Sequence, residues 1–200
     1  MTLTQVLRLP AAYRAFSRFV GGDARGTYVR EYVRPMPGMR VLDIGCGPAD
    51  ILDYLPGDVS YTGFDESPGY ITAARTRFGA RGEFVCSRVT ADLARRYRGF
   101  DLVLANGVLH HLDDTQARVL FEIAHAALGP GGRLVTLDGC IVERQSPIAR
   151  LLLQHDRGRF VRDQGAYTAL ARQVFPHVDV HVRHDLMRIP YTHIIMESRT

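Results

Sequence analysis

The run from 41 to 50, VLDIGCGPAD, constrains the fold of this chain more than any other ten residues. Its apolar first half, interrupted by Asp43, is typical of a short buried strand. Gly45 and Gly47 follow directly, and because neither has a Cβ they permit a tight turn and let a ligand approach the backbone. The pattern predicts a parallel strand whose carboxyl end opens into a ligand-binding turn.

Two acids in this run indicate which ligand the turn accepts. A dinucleotide would place its pyrophosphate here, where the Asp43 carboxylate would repel it. The methionine end of S-adenosylmethionine carries an ammonium and a sulfonium, which a carboxylate attracts. Asp50 stands where a G-x-G-x-x-G fingerprint requires a third small residue. The turn therefore favours S-adenosylmethionine over a dinucleotide.

A further acid, Asp65, ends the next predicted strand, which begins at Val59. A carboxylate at the end of the second strand of such a unit accepts hydrogen bonds from ribose hydroxyls. Asp65 is thus the candidate for ribose binding. The alternative is a cap for the helix that Ser67 and Pro68 begin, and one side chain can serve both roles.

Four segments resemble, in order, those of the class I, seven-stranded S-adenosylmethionine-dependent methyltransferases. They are VLDIGCGPAD, YTGFDESPGYI, FDLVLANGVLHHL and LGPGGRLVTLD, and the resemblance covers positions 33 to 138. It implies an α/β fold with a doubly wound, mostly parallel seven-stranded sheet, a final antiparallel strand pair and helices on both faces. It also implies a single domain over 1–200, with a helical cap at 1–34 and a substrate-side insertion at 139–165.

The resemblance assigns the cofactor-binding residues segment by segment. They are Asp43, Gly45, Cys46 and Gly47 in the first motif, Asp65, Glu66 and Tyr70 in the second, and Asn106 and Gly107 after the fourth strand. After the third strand, family members often carry an acid that contacts the adenine amino group. This chain has Ser87 and Arg88 at that position.

His110 and His111 are the candidate general bases, since in the family this loop passes the sulfonium on one side and the acceptor on the other. Methyl transfer is an in-line displacement, and a base is needed only when the acceptor must lose a proton during attack. The alternative is that one histidine packs inward and the other bonds to a neighbouring backbone group.

Four residues are candidates for binding the acceptor. Tyr13 and Phe16 lie on the apolar face of a predicted N-terminal helix, which in this family often covers the active site, and packing on the flank is the alternative. Arg157 belongs to a charged loop that could instead be solvated. Tyr191 begins the last predicted strand, where alternation points either it or His193 inward.

The loop after the fourth strand also bears on the acceptor. It lacks the Asp/Asn-Pro-Pro-Tyr turn of the enzymes that methylate exocyclic amines. Carbon-5 methylation of pyrimidines would need a nucleophilic cysteine, for which Cys140 is the candidate and packing the alternative. We therefore expect oxygen or carbon methylation of a small organic acceptor, as in bacterial quinone and secondary metabolism. The alternatives are an RNA methyltransferase or a catalytically inactive module that binds the cofactor and a partner protein.

Composition bounds these functions. Two hundred residues with 46% apolar content suit one domain, and a net charge of +4 without a run of five like charges argues against a nucleic-acid partner. Three cysteines without C-x-x-C spacing predict neither a disulfide framework nor a metal site. The start lacks a secretory signal, and no apolar run reaches ~18 residues, which predicts a cytoplasmic protein without membrane insertion.

Overall fold

The computed structural model describes residues 23–90, 96–154 and 158–200. The strands in these ranges are β1 (Arg40–Ile44), β2 (Ser60–Asp65), β3 (Gly82–Cys86), β4 (Phe100–Asn106), β5 (Leu128–Ile141), β6 (Arg162–Asp163), β7 (His177–Arg183) and β8 (His193–Arg199). The α-helices are α1 (Ala24–Tyr28), α2 (Pro68–Phe78), α3 (Asp114–Ala127), α4 (Pro147–Gln154) and α5 (Gln164–Arg172).

The main sheet of the described residues has the strand order β3-β2-β1-β4-β5-β8-β7. Its first five strands pair in parallel, and β8 pairs antiparallel with both β5 and β7. The predicted seven-stranded sheet with a final antiparallel pair is confirmed, with the addition of β6, which pairs with the end of β5. The strand order reverses between β1 and β4, and ligands of open α/β sheets bind at such a switch point.

Helices cover both faces of the sheet, because each strand sends alternate side chains to opposite sides. One face packs against α3 and α5 through Leu42, Val103, Phe121, Tyr167, Phe175 and Ile194. The other packs against α1 and α2 through Tyr28, Val41, Tyr61, Ile71, Leu102 and Ile195. The predicted two-sided arrangement is therefore confirmed.

The segment before β1 is helical. α1 is followed by a π-helical turn, Val29–Val33, and the helix ends at Arg34 in a left-handed conformation just before Pro35. The first three residues of the predicted insertion, 139–141, continue β5. The division of the chain into cap, domain and insertion stays a prediction.

Within the described ranges, no helix is both long enough and apolar enough to cross a membrane. The cytoplasmic location stays a prediction.

Candidate functional site

The turn after β1 is held by the neighbouring strand. The backbone N–H groups of Gly45 and Cys46 both donate to the carbonyl of Phe64, at 2.8 and 2.9 Å. Gly45 and Gly47 have φ angles of +74° and +55°, which glycine adopts without strain. A Cβ at Gly45 would lie 2.5 Å from Val108, whereas none of the described atoms lies within 4 Å of a Cβ at Gly47. The turn is therefore closed against the β4 loop at Gly45 and open at Gly47.

Asp65 joins this turn to the start of α2. Its two carboxylate oxygens accept hydrogen bonds from the backbone N–H groups of Gly47 and Ser67, at 2.9 and 2.8 Å. The N-cap of α2 is Ser67, whose hydroxyl oxygen accepts from the N–H of Tyr70. Each carboxylate oxygen has further acceptor capacity beyond one hydrogen bond. The carboxylate can therefore orient the turn and also accept from ligand hydroxyls.

Asp43 is buried beneath the turn, with 3% of its surface exposed. Its Oδ2 accepts a hydrogen bond from the Tyr61 hydroxyl at 2.7 Å, and its Oδ1 has no hydrogen-bond partner among the described residues. Burial raises the pKa of this carboxyl to about 7, although the bond from Tyr61 opposes the shift. A buried carboxylate oxygen without a partner fits a cationic ligand group, because an ammonium would supply the missing donor and charge.

The end of β4 presents the next predicted contacts. The Asn106 side-chain oxygen accepts a hydrogen bond of 2.6 Å from the Tyr28 hydroxyl, which ties α1 to this edge of the sheet. The N–H of Gly107 donates to the Leu137 carbonyl at 2.7 Å. Gly107 would therefore meet a ligand through its carbonyl oxygen or its Cα, since its N–H is used within the sheet.

At the predicted adenine position, an exposed ion pair joins Glu66 to Arg88, with 2.6 Å between Nε and Oε1. The Ser87 hydroxyl donates to the Arg88 carbonyl at 3.0 Å. Tyr70 lies half-buried in the first turn of α2, the helix that follows β2. Glu66, Ser87 and Arg88 thus form a polar edge beyond the ends of β2 and β3.

The two histidines occupy a 3-10 turn, Leu109–His111, and differ in environment. His110 is buried, and both its Nδ1 and its backbone N–H contact Oδ1 of Asp138, at 2.8 and 3.2 Å. His111 is exposed, and its ring centroid lies 4.1 Å from that of His110. The contact to Asp138 places Nε2 on the opposite edge of the His110 ring.

Asp138 is a site residue that the sequence analysis missed. It is fully buried near the end of β5, where burial raises its pKa and the hydrogen bond from His110 opposes that shift. A carboxylate behind an imidazole fixes the tautomer of the ring and stabilises its protonated form. The available signal was its position as the last residue of the predicted fifth strand, at the same edge as Asp43 and Asp65.

Tyr191 and His193 lie together beside the end of β5. A Cβ at Gly139 would lie 2.6 Å from the Tyr191 hydroxyl oxygen, so this hydroxyl sits over the β5 backbone one residue beyond Asp138. The rings of Tyr191 and His193 are 4.7 Å apart. The expectation that strand alternation separates Tyr191 from His193 is wrong, because residues two apart along a strand point to the same face.

His193 should make the fold sensitive to acid. Burial lowers its pKa from 6.5 to about 4, and its Nδ1 has no hydrogen-bond partner among the described residues. A depressed pKa contributes stability above the unfolded value, and this is lost as pH falls through 6.5 toward 4. We expect His193→Gln to lose less unfolding free energy than the wild type between pH 7 and pH 4, by at most about 3 kcal/mol.

Urea unfolding at a series of pH values measures this difference. Exposed His177 offers a matched control, since His177→Gln makes the same replacement at a surface position. Parallel curves for His193→Gln and the wild type would contradict the assignment.

Cys140 is buried, and burial raises the pKa of its thiol to about 12, so it is protonated at neutral pH. Cys140 therefore does not supply a thiolate nucleophile at neutral pH, because the thiolate and not the thiol is the reactive form. Tyr13, Phe16 and Arg157 lie outside the described residues, and their role in acceptor binding stays a prediction. In the described part of the chain, no group of three or more His, Cys, Asp or Glu residues is arranged to hold a metal ion.

Comparison with known proteins decides the family. Residues 42–134 match the family model described as a methyltransferase domain. The chain carries a methyltransferase domain over these residues. It is similar to the TehB-like S-adenosylmethionine-dependent methyltransferase of Corynebacterium glutamicum, with a TM-score of 0.66, 18% identity and full coverage of both chains. The methyltransferase family implies S-adenosylmethionine as the cofactor.

Two curated relatives of the methyltransferase domain carry names that point to different acceptors. The ubiquinone biosynthesis O-methyltransferase of Azorhizobium caulinodans is 35% identical over 100 residues, which are 48% of this chain and 37% of that protein. The probable tRNA methyltransferase 9B of Homo sapiens is 34% identical over 110 residues, which are 54% of this chain and 23% of that protein. The chain thus spans well under half the length of either relative.

Proposed function

We propose that this protein transfers the methyl group of S-adenosylmethionine to an oxygen atom of a small organic acceptor. The observation that carries the proposal is the buried His110–Asp138 pair at the carboxyl edge of β4 and β5. A relative of the domain is named an O-methyltransferase, which supports the choice of oxygen. The bound cofactor supplies a methyl group activated by its sulfonium charge.

In this proposal His110 acts as the general base. A phenol or similar hydroxyl must lose its proton as it attacks the methyl carbon, and Nε2 of His110 accepts that proton. Asp138, buried behind the ring, holds Nδ1 and stabilises the imidazolium that forms. An acidic carbon acceptor would use the same base, and the position of the methyl group in the isolated product distinguishes the two outcomes.

The cofactor would be held along the edge formed by β1, β2 and β4. We assign the ammonium of its methionine portion to Asp43 and its ribose hydroxyls to Asp65. Ser87 and Arg88 would flank the adenine, and the backbone around Asn106 and Gly107 would face the methionine portion. Two features of the described residues support this placement: the open space at Gly47 and the Asp43 oxygen that has no hydrogen-bond partner among them.

Replacing Asp65 tests the ribose contact. We expect Asp65→Ala to weaken S-adenosylhomocysteine binding by about 1.5 to 3 kcal/mol, because a charged hydrogen-bonding partner is removed. Isothermal titration calorimetry measures the dissociation constant. Asp58→Ala provides the control, since Asp58 is an exposed carboxylate in the turn before β2. Equal affinity in the wild type and Asp65→Ala would refute the assignment.

RNA methylation is the second candidate, because one relative is named a probable tRNA methyltransferase. Its acceptor would be recognised through phosphates, and binding would therefore weaken steeply with salt. The mild positive charge of the chain and the absence of a long basic run favour the small acceptor.

The deciding experiment follows a labelled methyl group from S-adenosylmethionine to a panel of phenols, catechols and carboxylic acids, with total tRNA in parallel. Transfer to a hydroxyl compound that requires His110 supports the proposal. Transfer to tRNA alone replaces it with the second candidate. Binding of S-adenosylhomocysteine without transfer to any acceptor would instead indicate an inactive cofactor-binding module.

A further inference from the structure

Arg162 is a buried arginine that the proposed reaction does not yet use. It lies in β6 and pairs in register with Cys140 of β5. Cys140 comes two residues after Asp138 in the sequence. Burying a guanidinium is unfavourable unless its donors are satisfied. Its contacts therefore indicate what its position serves.

The guanidinium of Arg162 contacts both ends of the histidine turn. Its Nη1 donates to the carbonyls of Leu109 and Phe160, each at 3.0 Å, and its Nη2 donates to the carbonyl of Leu112 at 2.6 Å. Its Nε donates to the Asp114 carboxylate at 2.9 Å. Leu109 and Leu112 flank the two histidines directly in sequence. Only arginine offers this many donors in one rigid plane, so a single side chain fixes the turn at both ends.

The segment that leads into β6 also packs on His110. The N–H of Phe160 donates to the His110 carbonyl at 2.9 Å. A Cβ at Gly158 would lie 2.1 Å from Cδ2 of the His110 ring, and one at Gly107 would lie 3.7 Å from Cε1. Because Nε2 is bonded to both of these ring carbons, a glycine lies beside each side of the proposed proton-accepting atom. Glycine is required at 158 because a larger side chain would overlap the His110 ring, and not because of its backbone conformation.

We propose that Arg162 and Gly158 are positioning residues that hold His110 against Asp138 and so direct its Nε2 toward the acceptor. Arg162 bonds to the turn that carries His110, and its strand β6 pairs with β5. Because β5 also carries Asp138, which bonds to the His110 ring, the ring is held from both sides. The inference rests on the proposed function of His110, but it concerns the placement of the ring and can be measured without turnover.

Gly158→Ala tests the ring position. The added methyl group overlaps the imidazole, so we expect the ring to move and kcat to fall about 10- to 100-fold, as a displacement near 1 Å allows. The dissociation constant for S-adenosylhomocysteine should stay within about twofold, since the cofactor residues are not touched. Gly57→Ala is the matched control, because no described atom lies within 4 Å of its added Cβ and its φ is not in the left-handed region.

Arg162→Lys tests the clamp with the charge retained. Lysine presents three donors on one atom and cannot span Leu109 and Leu112 as the guanidinium does. We expect kcat to fall, the acidic limb of the pH profile of kcat to shift, and the KM for the acceptor to change less than kcat. A lower Tm with an unchanged kcat and pH profile below that Tm would make Arg162 a purely structural residue and overturn its part of the proposal.

Nitrogen-detected NMR of the histidine rings separates this inference from the proposed function. We expect the Nδ1 and Nε2 signals of His110, assigned through the loss of one spin system in His110→Gln, to shift in Gly158→Ala and in Arg162→Lys but not in Gly57→Ala. Unshifted signals in both variants would overturn the positioning role even if the enzyme is active. Shifted signals in a protein that methylates no hydroxyl would support positioning while the proposed function fails.

Discussion

His110→Gln is expected to lower kcat for methyl transfer to a hydroxyl acceptor by about 10²- to 10⁴-fold, the usual contribution of a general base. Glutamine preserves a polar group beside Asp138 but cannot accept the proton at neutral pH. The affinity for S-adenosylhomocysteine should stay within about twofold, because His110 is not among the residues to which we assign cofactor contacts. Single-turnover measurements with saturating cofactor isolate this effect from product release.

The neighbouring histidine supplies the matched control. His111 is exposed, its ring is tilted by 43° against that of His110, and it is the His110 ring that bonds to the buried Asp138 carboxylate, so His111→Gln should change kcat far less than His110→Gln. The rate of the wild-type enzyme should fall on the acidic side as the base becomes protonated, and this limb should be missing in His110→Gln. A larger loss in His111→Gln would move the catalytic base to that residue.

Asp138→Asn examines the carboxylate behind the base. The amide keeps the shape of the side chain but removes the charge that stabilises an imidazolium. We therefore expect kcat to fall in Asp138→Asn, as in His110→Gln. Because the two residues act as a pair, the double variant should be little worse than either single variant. Additive losses would indicate that Asp138 acts independently of His110.

Asp43→Asn is expected to have opposite effects on stability and on cofactor binding. Burial raises the pKa of Asp43 from 3.8 to about 7, so its ionised form destabilises the cofactor-free fold. The stability linked to this carboxyl is present below pH 4 and is lost as pH rises through 7. Asparagine stays neutral, and the variant should therefore be more stable than the wild type at pH 8, by at most about 4 kcal/mol. Urea unfolding at pH 5 and pH 8 measures the difference.

For cofactor affinity we expect the opposite order, with the wild type binding more tightly than Asp43→Asn. The cofactor ammonium requires the ionised carboxylate, so wild-type Asp43 should release about half a proton when S-adenosylhomocysteine binds at pH 7. Calorimetry in buffers with different ionisation enthalpies measures this release, and Asp43→Asn should show less of it and bind more weakly. Asp53→Asn, at an exposed position, controls for the loss of charge. Equal affinity of Asp43→Asn and the wild type would contradict the role assigned to Asp43.

Local patterns were sufficient to predict the sheet and its ligand edge. The apolar runs before Asp43 and Asp65 and the glycines after β1 predicted the strands and the turn, because strand burial and turn conformation depend on residues within a few positions of one another. The resemblance to class I methyltransferases added the number of strands and the final antiparallel pair. The alternative reading of Asp65 as a helix cap does not hold, since Ser67 is the N-cap of α2 and the Asp65 carboxylate instead accepts a hydrogen bond from the N–H of Ser67.

The partners of these residues depended on the tertiary structure. Asp138 meets His110 from 28 positions away, and Arg162 reaches Leu109 from 53 positions away, so no short sequence window contains either pair. The pKa of Asp43 likewise follows from its burial and from Tyr61, which the pairing of β1 with β2 brings to it. The amino-acid sequence alone therefore specified which residues stand at the ends of the strands. The order of the strands in space decided which of these residues touch, because burial and hydrogen bonding between distant segments arise only when the sheet is assembled.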